Sequence, residues 1–225
     1  YVPSDEYKVD KDINLWQGDC LQLMSHIPDK SVDMILCDLP YGTTACSWDE
    51  IIPFEPLWKH YKRVIKDNGA IVLFGSEPFS TKLRMSNLDW YRYDWVWIKH
   101  KPSNFALSQK QPMKYHENIS MFYKKHPLYN PQMQKRTSGR IKQGQKTQYI
   151  GVSKNHGELN SLKTQERDYD KYDANFKLPS MHIEIPAVQS NSKEKTPHPT
   201  QKPVGLLEYL IKTYTNEGMT VLDNT

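Results

Sequence analysis

The chain has 225 residues, of which 37% are hydrophobic and 25% charged, and its formal net charge is +4 at pH 7. This length and hydrophobic content suffice for one α/β domain with an insertion, whereas so modest a charge does not by itself indicate nucleic-acid binding. No apolar run approaches about 18 residues and the three cysteines lack C-x-x-C spacing, so composition argues against a membrane protein, a disulfide scaffold and a thiolate zinc site, and favours a reduced, cytoplasmic protein.

The first half of the chain alternates segments typical of strands with segments typical of amphipathic helices. Alternating apolar and polar residues predict a strand at Ile13–Gln17, and an apolar face predicts a short helix between Leu21 and Ile27. A near-continuous apolar run predicts a buried strand at Val32–Cys37. The pattern then predicts a helix over Pro56–Lys66 and another buried strand over Ala70–Phe74. Strand, helix and strand at this spacing indicate βαβ units and a parallel sheet.

A carboxylate and an aromatic ring follow the first buried strand, in the sequence Asp38-Leu39-Pro40-Tyr41. Open α/β sheets carry out chemistry at the carboxyl ends of their strands. Asp38 can accept a hydrogen bond from an amino group, and Tyr41, beyond the rigid Pro40, can present its face to a flat ring. Both properties suit an extruded nucleobase. The alternative is a strand end that closes in a proline-containing turn.

The middle of the chain contains two aromatic-rich segments followed by a long polar one. Tyr91–Ile98 and Ile119–Tyr123 predict strands that form an antiparallel end of the sheet. From about Leu128 to Pro186 the periodicity is lost, which favours a binding insertion or a segment that orders only on its partner. No acidic residue occurs between Pro131 and Gly157, so this stretch is a candidate for DNA contact, with a solvated loop as the alternative. Its cations are Lys135, Arg136, Arg140, Lys142, Lys146 and Lys154.

A polar, proline-rich segment, Thr196–Pro203, leads directly into a pattern typical of an amphipathic helix. The free N–H groups of such a helix start can bind an anion, and Lys202 adds positive charge there. An ordinary N-cap loop is the alternative interpretation. Near the end of the sequence, Met219–Asp223 predicts a short strand that ends in an acidic residue. The apolar face of the preceding helix consists of Leu206, Leu207, Leu210 and Ile211.

Taken in this order, the three motifs resemble those of the permuted, or β-group, S-adenosylmethionine-dependent DNA amino-methyltransferases. In that family Asp-Pro-Pro-Tyr comes first, a target-recognition region follows, and His-Pro-Thr-Gln-Lys-Pro precedes Val-Leu-Asp. His198–Pro203 matches without a change, and the resemblance extends from Asn14 to Thr225. It implies an α/β fold, with a Rossmann-like class I methyltransferase sheet in circularly permuted motif order.

The resemblance also implies a division of the chain. Residues 1–127 would form the catalytic half, residues 128–190 an inserted target-recognition region, and residues 191–225 the start of the cofactor-binding half. In the family a Gly-rich turn, a helix and an acidic strand follow. The sequence ends at Thr225 without them, so we expect the C-terminal part of the cofactor-binding half to be missing from this chain.

Residue roles carried over from the family concern the catalytic motif first. Asp38 and the backbone carbonyl of Leu39 would accept hydrogen bonds from the target amine, and Tyr41 would stack on the extruded base. Leu39 departs from the usual first proline of the motif, while Pro40 keeps the second. Because the carbonyl contact is a backbone one, the side-chain change should preserve it.

The family further implies S-adenosylmethionine as cofactor. Asp19 and Cys20 would lie near its adenine, Asp223 near its amino-acid portion, and the proline-rich motif near its carboxylate. The contributing residues of that motif are His198, Thr200, Gln201 and Lys202. The structural alternatives are a turn-forming Asp19, a small buried Cys20 and a loop His198 bonded to backbone.

The predicted activity is site-specific methylation of the N6 amine of adenine in double-stranded DNA. An N4-cytosine methyltransferase, which more often has Ser in place of Asp38, is one alternative, and a non-catalytic DNA-binding relative is another. The DNA-binding cations would be Lys135, Arg136, Arg140, Lys142 and Lys146. No metal is required. We expect a cytoplasmic protein of bacterial or phage origin without membrane contact, with a homodimer and a restriction endonuclease as candidate partners.

Two further pairs of residues leave alternatives open. Trp48-Asp49 follows the catalytic motif and either covers the base or packs in the core. His116-Glu117 resembles an acid/base or metal pair, but its place at a loop-to-strand junction favours a structural hydrogen bond.

Overall fold

A computed structural model describes residues 12–44, 46, 49–135, 176–198 and 200–225. The chain divides into two compact units. Tyr1–Asn130 together with Ser180–Thr225 form the first, and Pro131–Pro179 form the second.

The first unit contains a six-stranded mixed sheet with helices on both faces. Its strands are β1 (Val32–Cys37), β2 (Ile65–Gly75), β3 (Tyr91–Ile98), β4 (His116–Phe122), β7 (His182–Glu184) and β8 (Val221–Leu222). Its helices are α1 (Cys20–Met24), α2 (Phe54–Val64), α3 (Phe79–Met85) and α4 (Val204–Tyr214), and a 3₁₀ turn covers Phe105–Leu107. In the second unit β5 (Gln134–Lys135) pairs antiparallel with β6 (Phe176–Lys177).

The strand order across the main sheet is β7-β3-β4-β2-β1-β8. β1 runs parallel to both β2 and β8, whereas β4 runs antiparallel to both β2 and β3. β1, β2, β3 and β8 therefore share one direction, and their carboxyl ends meet at one edge of the sheet together with the first residues of β4. This edge carries the candidate site.

Successive side chains of the central strands point to opposite faces of the sheet, so the core has one part on each face. Ile35 and Leu73 pack with α2 and α3 on one face, and Leu36 and Phe74 pack with α4 on the other. Because both faces are covered, β1 is almost continuously apolar. α2 contributes four buried side chains at helical spacing, Leu57, Trp58, Tyr61 and Val64.

The predicted α/β class is confirmed, and so is the antiparallel end of the sheet formed by β3 and β4. The predicted strand at Ile13–Gln17 is wrong: this segment is irregular, its side chains are exposed, and none of the described strands pairs with it. α3 was not predicted, since its two turns carry too few apolar residues for a recognisable period. β4 begins at His116, three residues earlier than predicted.

Lys135 lies in β5 with an exposed side chain. The other predicted DNA-binding cations, Arg136, Arg140, Lys142 and Lys146, lie outside the described residues. Among the described residues, no helix is long and apolar enough to cross a bilayer.

Candidate active site

A cavity of about 930 Å³ opens at the carboxyl edge of the main sheet, within the first unit. It is lined by the whole Asp38–Tyr41 motif, by part of the proline-rich segment and by the residues after β8. The predicted site residues that line it are Cys20, Asp38, Leu39, Pro40, Tyr41, His198, Thr200, Gln201, Lys202 and Asp223. The Asp38–Tyr41 motif is more than a hundred residues from the other two segments in the chain, and parallel pairing of β8 with β1 brings Asp38 close to the residues after β8.

Asp38 immediately follows β1, and both of its carboxylate oxygens are engaged. Oδ1 accepts a hydrogen bond of 2.7 Å from the Tyr41 hydroxyl. Oδ2 accepts one from the ammonium of Lys202. Desolvation in the cavity wall and the neighbouring Asp38 raise the pKa of Tyr41 well above its ordinary value, so the hydroxyl remains a donor.

The ring of Tyr41 stacks on Phe79, with 5.0 Å between the centroids and 25° between the planes. The ammonium of Lys202 lies 5.8 Å from the Tyr41 centroid and 5.3 Å from that of Phe74. One aromatic face of Tyr41 is therefore covered by the protein itself. Any base that stacks on this ring must use the face that Phe79 leaves uncovered.

Glu117, at the start of β4, continues the row of charges on the sheet edge. Its Oε1 accepts a 2.7 Å hydrogen bond from Lys99, and its Oε2 lies 3.6 Å from the ammonium of Lys202. The side chains of Lys99, Lys202 and Glu117 are only 6%, 9% and 15% exposed. An alternating row of Lys99, Glu117, Lys202 and Asp38 therefore runs along the edge of the sheet.

The electrostatic balance of this row is visible in the pKa of Glu117. Burial by itself would raise this pKa, but Lys202, Lys99 and the nearby Lys114 outweigh it and hold the pKa below the ordinary value. Lys114 is positioned by its own hydrogen bond to the Ser76 hydroxyl, at the end of β2. Glu117 is thus a charged member of the site, and its hydrogen bond to Lys99 is the structural bond that was predicted.

The turn after Tyr41 is organised by Asp49. Its carboxylate accepts hydrogen bonds from the backbone N–H groups of Gly42, Thr43 and Thr44, at 2.9, 2.9 and 2.7 Å. Gly42 adopts φ 64°, a left-handed conformation that glycine tolerates best. Partial desolvation would raise the pKa of Asp49, but these hydrogen bonds prevail and lower it to about 2. Trp48, its neighbour, lies outside the described residues.

The Leu39 side chain, which replaces the first proline of the motif, is buried in the core between the sheet and α2. A buried apolar anchor thereby fixes the peptide between Asp38 and Pro40. The buried side chain restricts the conformation of this peptide, as the ring of a proline would by fixing φ.

Residues after β8 form the cavity wall beside α1. Cys20 is the first residue of α1, and desolvation raises the pKa of its thiol. Oδ1 of Asn224 accepts a 2.5 Å hydrogen bond from Tyr61. Its buried amide nitrogen has no hydrogen-bond partner among the described residues. Asp223 accepts a hydrogen bond from the backbone N–H of Thr225 at 3.2 Å.

Asp19, which was predicted to lie near the cofactor adenine, makes local backbone contacts. It is the N-cap of α1, where its Oδ1 accepts hydrogen bonds from Leu21 and Gln22 at 2.8 and 3.1 Å. Asp19 is not among the described residues that line the cavity, whereas Cys20 is. The turn-forming alternative for Asp19 accounts for these contacts.

The proline-rich segment is stabilised by its own side chains. Gln201 accepts hydrogen bonds from the backbone and hydroxyl of Thr196 and donates one to the carbonyl of Glu194. The Glu194 carboxylate in turn accepts from the backbone N–H of Val204, the first residue of α4. The expectation that this helix start offers its N–H groups to an external anion is therefore corrected in part, because a carboxylate of the chain already binds there.

The ammonium of Lys202 is directed at Asp38 and Glu117. Its predicted contact with a cofactor carboxylate stays a prediction. His198 and Thr200 do line the cavity, with their side chains 3.5 Å apart. Among the described residues, no group of three or more His, Cys, Asp or Glu side chains is arranged to hold a metal ion.

Comparison with known proteins identifies relatives of this chain. A family model described as DNA methylase, covering N6 and N4 methyltransferases, matches residues 32–224. The chain is 26% identical over 250 residues to the type II methyltransferase M2.MboI of Moraxella bovis, covering 99% of this chain and 77% of that protein. It is 28% identical over 218 residues to the type II methyltransferase M.HpaI of Haemophilus parainfluenzae, covering 92% of this chain and 61% of the relative.

Solved structures share the fold. The PvuII DNA methyltransferase, named as cytosine-N4-specific, aligns with a TM-score of 0.59 at 14% identity, over 92% of this chain and 72% of that one. A complex of M1.HpyAVI with SAM aligns with a TM-score of 0.52 at 18% identity, over 92% of this chain and 80% of the other. The predicted methyltransferase fold is thereby confirmed, while identities this low carry no residue roles.

Proposed function

Because this chain belongs to the DNA methylase family of N6 and N4 methyltransferases, we propose that it methylates the N6 amine of adenine in double-stranded DNA. S-adenosylmethionine is the cofactor of this family of enzymes. The observation that carries the proposal is the Asp38 carboxylate, which lies in the cavity at the carboxyl end of β1 with Tyr41 and Lys202 bonded to it.

Asp38 is assigned to the target amine. An exocyclic amine is a poor nucleophile because its lone pair is delocalised into the ring, and acceptors placed around its N–H groups favour a tetrahedral, more reactive nitrogen. A carboxylate offers about four acceptor positions, so the bonds from Tyr41 and Lys202 leave capacity for the amine. The backbone carbonyl of Leu39, on a peptide anchored by a buried side chain, supplies the second acceptor.

Lys202 and Glu117 are assigned to the orientation of Asp38. A carboxylate free to rotate would present either oxygen to the amine, whereas one bonded on both sides has a fixed plane. Glu117 also contacts Lys202 and is itself bonded to Lys99. Each of these two residues acts through its neighbour and not on the base directly.

Tyr41 is assigned to the extruded base. Phe79 supports one face of its ring, which leaves the other face for stacking. Such a contact contributes about 1–3 kcal/mol per base.

The cavity residues near α1 and β8 fit the cofactor. The buried amide nitrogen of Asn224 is a donor without a partner among the described residues, and S-adenosylmethionine is rich in acceptors. Cys20, Asn224 and Asp223 would hold it, together with His198 and Thr200, which line the same cavity. When bound, the cofactor supplies a methyl group activated by its sulfonium, so the work of the protein is to align amine and methyl group.

The two bacterial relatives are named as type II methyltransferases, which supports a place for this chain in a restriction–modification system. We extend the proposal to a cognate restriction endonuclease as functional partner and to a homodimer as its assembly. The basic residues Lys135, Arg136, Arg140, Lys142 and Lys146 are proposed to contact DNA phosphates.

Methylation of N4 of cytosine is the second candidate. It is favoured by one observation, the fold similarity to a methyltransferase named as cytosine-N4-specific. Asp38 favours adenine, because the N4 enzymes more often have Ser at this position of the motif. The chemistry of the amine is the same in both cases, so the two candidates differ only in the base that the cavity accepts.

The deciding experiment is methyl transfer from labelled S-adenosylmethionine to unmodified plasmid DNA by the full-length protein. Digestion to nucleosides and mass spectrometry then distinguish N6-methyladenine from N4-methylcytosine. We expect N6-methyladenine. N4-methylcytosine would replace the first candidate by the second, and cofactor binding without transfer to DNA would indicate a non-catalytic relative.

A further inference from the structure

The loop between β3 and β4, residues 99–115, carries a large apolar side chain exposed beside the candidate site. Phe105 is 74% exposed and Leu107 43% exposed, within and at the end of the 3₁₀ turn Phe105–Leu107. Isolated exposed leucines are ordinary, but an aromatic ring with three quarters of its surface in water carries a hydrophobic cost that burial on a partner would remove.

The loop holds a defined shape. Asn104 bridges its two sides, donating to the carbonyl of Pro112 at 3.0 Å and accepting from the backbone N–H of Lys114 at 2.6 Å. Ser103 adds a backbone bond to Lys114, and Lys99 adds one to Tyr115. These hydrogen bonds join the two sides of the loop, so the turn that carries the Phe105 ring has a fixed backbone conformation.

The base of this loop belongs to the cavity wall. Lys99 and Ser103 both line the cavity that contains Asp38, and Lys99 is bonded to Glu117. The loop thus rises from the rim of the site in which the target base is proposed to react.

The charge of this loop indicates which kind of partner it binds. No acidic residue occurs between Asp94 and Glu117, while four lysines and two histidines do. Lys99 and Lys114 are engaged by Glu117 and Ser76. Lys101 and Lys110 are exposed and make no ion pair or side-chain hydrogen bond with the described residues. An apolar tip between two unpaired cations complements a duplex, whose bases are apolar in the stack and whose phosphates are anionic.

We propose that residues 99–115 contact the DNA duplex, with Phe105 inserted beside the target base as a wedge and with Lys101 and Lys110 on the flanking phosphates. This inference rests on the proposed function, because a wedge is needed only by an enzyme that extrudes a base. Insertion occupies the space that the extruded base leaves and offsets the free energy of unstacking. Phe105 contributes to extrusion, whereas Asp38 contributes to transfer.

The methylation site is first mapped by sequencing methylated plasmid DNA for modified bases. The test then uses a short duplex that contains this site, and a second duplex with an abasic position opposite the target base. We expect Phe105→Ala to lower kcat/KM about 10- to 100-fold on the paired duplex, and the abasic duplex to restore most of this loss because no base pair has to open. Phe105→Leu should retain part of the activity, since Leu can also act as a wedge.

Met85→Ala is the matched control, since Met85 is 66% exposed at the end of α3 and outside the loop. Equal rates for Phe105→Ala and Met85→Ala, or equal losses on both duplexes, would overturn the proposed wedge role of Phe105.

The double variant Lys101→Ala and Lys110→Ala tests the phosphate contacts. It should flatten the plot of log affinity against log salt by up to about 2 in slope; an unchanged slope would overturn the phosphate contacts. Wild-type protein inactive on every duplex would instead reject the proposed function.

Discussion

The ammonium of Lys202 donates a hydrogen bond to the Asp38 carboxylate, joining residues 164 positions apart in the sequence. The contact connects the loop before α4 to the end of β1, beside the Tyr41 ring that stacks on Phe79. The two motifs that the resemblance assigned to different tasks, one to the base and one to the cofactor, therefore share a charge pair. This pairing alters what substitution of Lys202 should do.

Lys202→Met should lower kcat for methyl transfer about 100-fold, because Asp38 and Glu117 would each lose a charged partner and Asp38 its fixed orientation. Cofactor affinity, measured by isothermal titration, should change much less than kcat. Lys202→Arg keeps the charge and is the matched control, expected to retain more activity than Lys202→Met. If Lys202→Met instead loses cofactor affinity while its kcat at saturating cofactor is unchanged, Lys202 contacts the cofactor carboxylate and does not orient Asp38.

Glu117→Gln should destabilise the protein by about 3 kcal/mol, since it leaves Lys99 and Lys202 buried without their shared carboxylate. Urea unfolding measures the change in the free energy of unfolding. The folded-state pKa of Glu117 lies below its ordinary value. The stabilisation by ionised Glu117 is therefore complete at pH values above the ordinary pKa and is lost as pH falls through the folded-state pKa. The difference between wild type and Glu117→Gln should therefore shrink in acid. A difference that is constant with pH would contradict the charged state of Glu117.

Asp38→Ala should reduce methyl transfer at least about 100-fold while cofactor affinity remains nearly unchanged. Tritiated methyl transfer to DNA measures the rate, and isothermal titration measures the affinity. A rate above about a tenth of that of the wild type would remove Asp38 from its assigned role.

Tyr41→Phe separates the two contributions of Tyr41. It removes the 2.7 Å hydrogen bond to Asp38 but keeps the ring on Phe79. We expect about a tenfold lower kcat, corresponding to a loss of about 1.4 kcal/mol, with the KM for DNA little changed. Tyr41→Ala should in addition weaken binding to DNA. If both variants behave alike, the ring has no role in base stacking.

Asp49→Asn should destabilise the turn after Tyr41 by about 1–2 kcal/mol, because an amide oxygen cannot replace two carboxylate oxygens that accept three backbone hydrogen bonds. The folded-state pKa of about 2 lies below the ordinary 3.8, so this stabilisation is present above about pH 4 and is lost as pH falls towards 2. Thermal unfolding at several pH values in this window should show the two proteins converging. Asp89→Asn, at an exposed carboxylate outside the turn, provides the control.

Local pattern in the sequence was enough to predict β1, the core of β2, α2, α4 and the antiparallel pair of β3 with β4. Each is specified by the periodicity of its own residues, as in the continuous apolar run of Val32–Cys37, which is buried on both faces. The order of three short motifs identified the family, and the location of Asp38 and Asp223 at the ends of strands was readable from the strands themselves. These features depend on neighbours in the chain.

The tertiary structure alone decided which charges meet. The bond between Lys202 and Asp38, the position of Glu117 between two lysines and the capping of α4 by Glu194 each depend on how the chain is folded over long or irregular connections. Periodicity carries no information on such contacts, because a lysine in a polar loop has the same pattern whether it is solvated or buried against a carboxylate. Sheet order β4-β2-β1-β8 brings Asp38 and Glu117 to one edge, and because charges that are largely buried there need partners, oppositely charged side chains are neighbours.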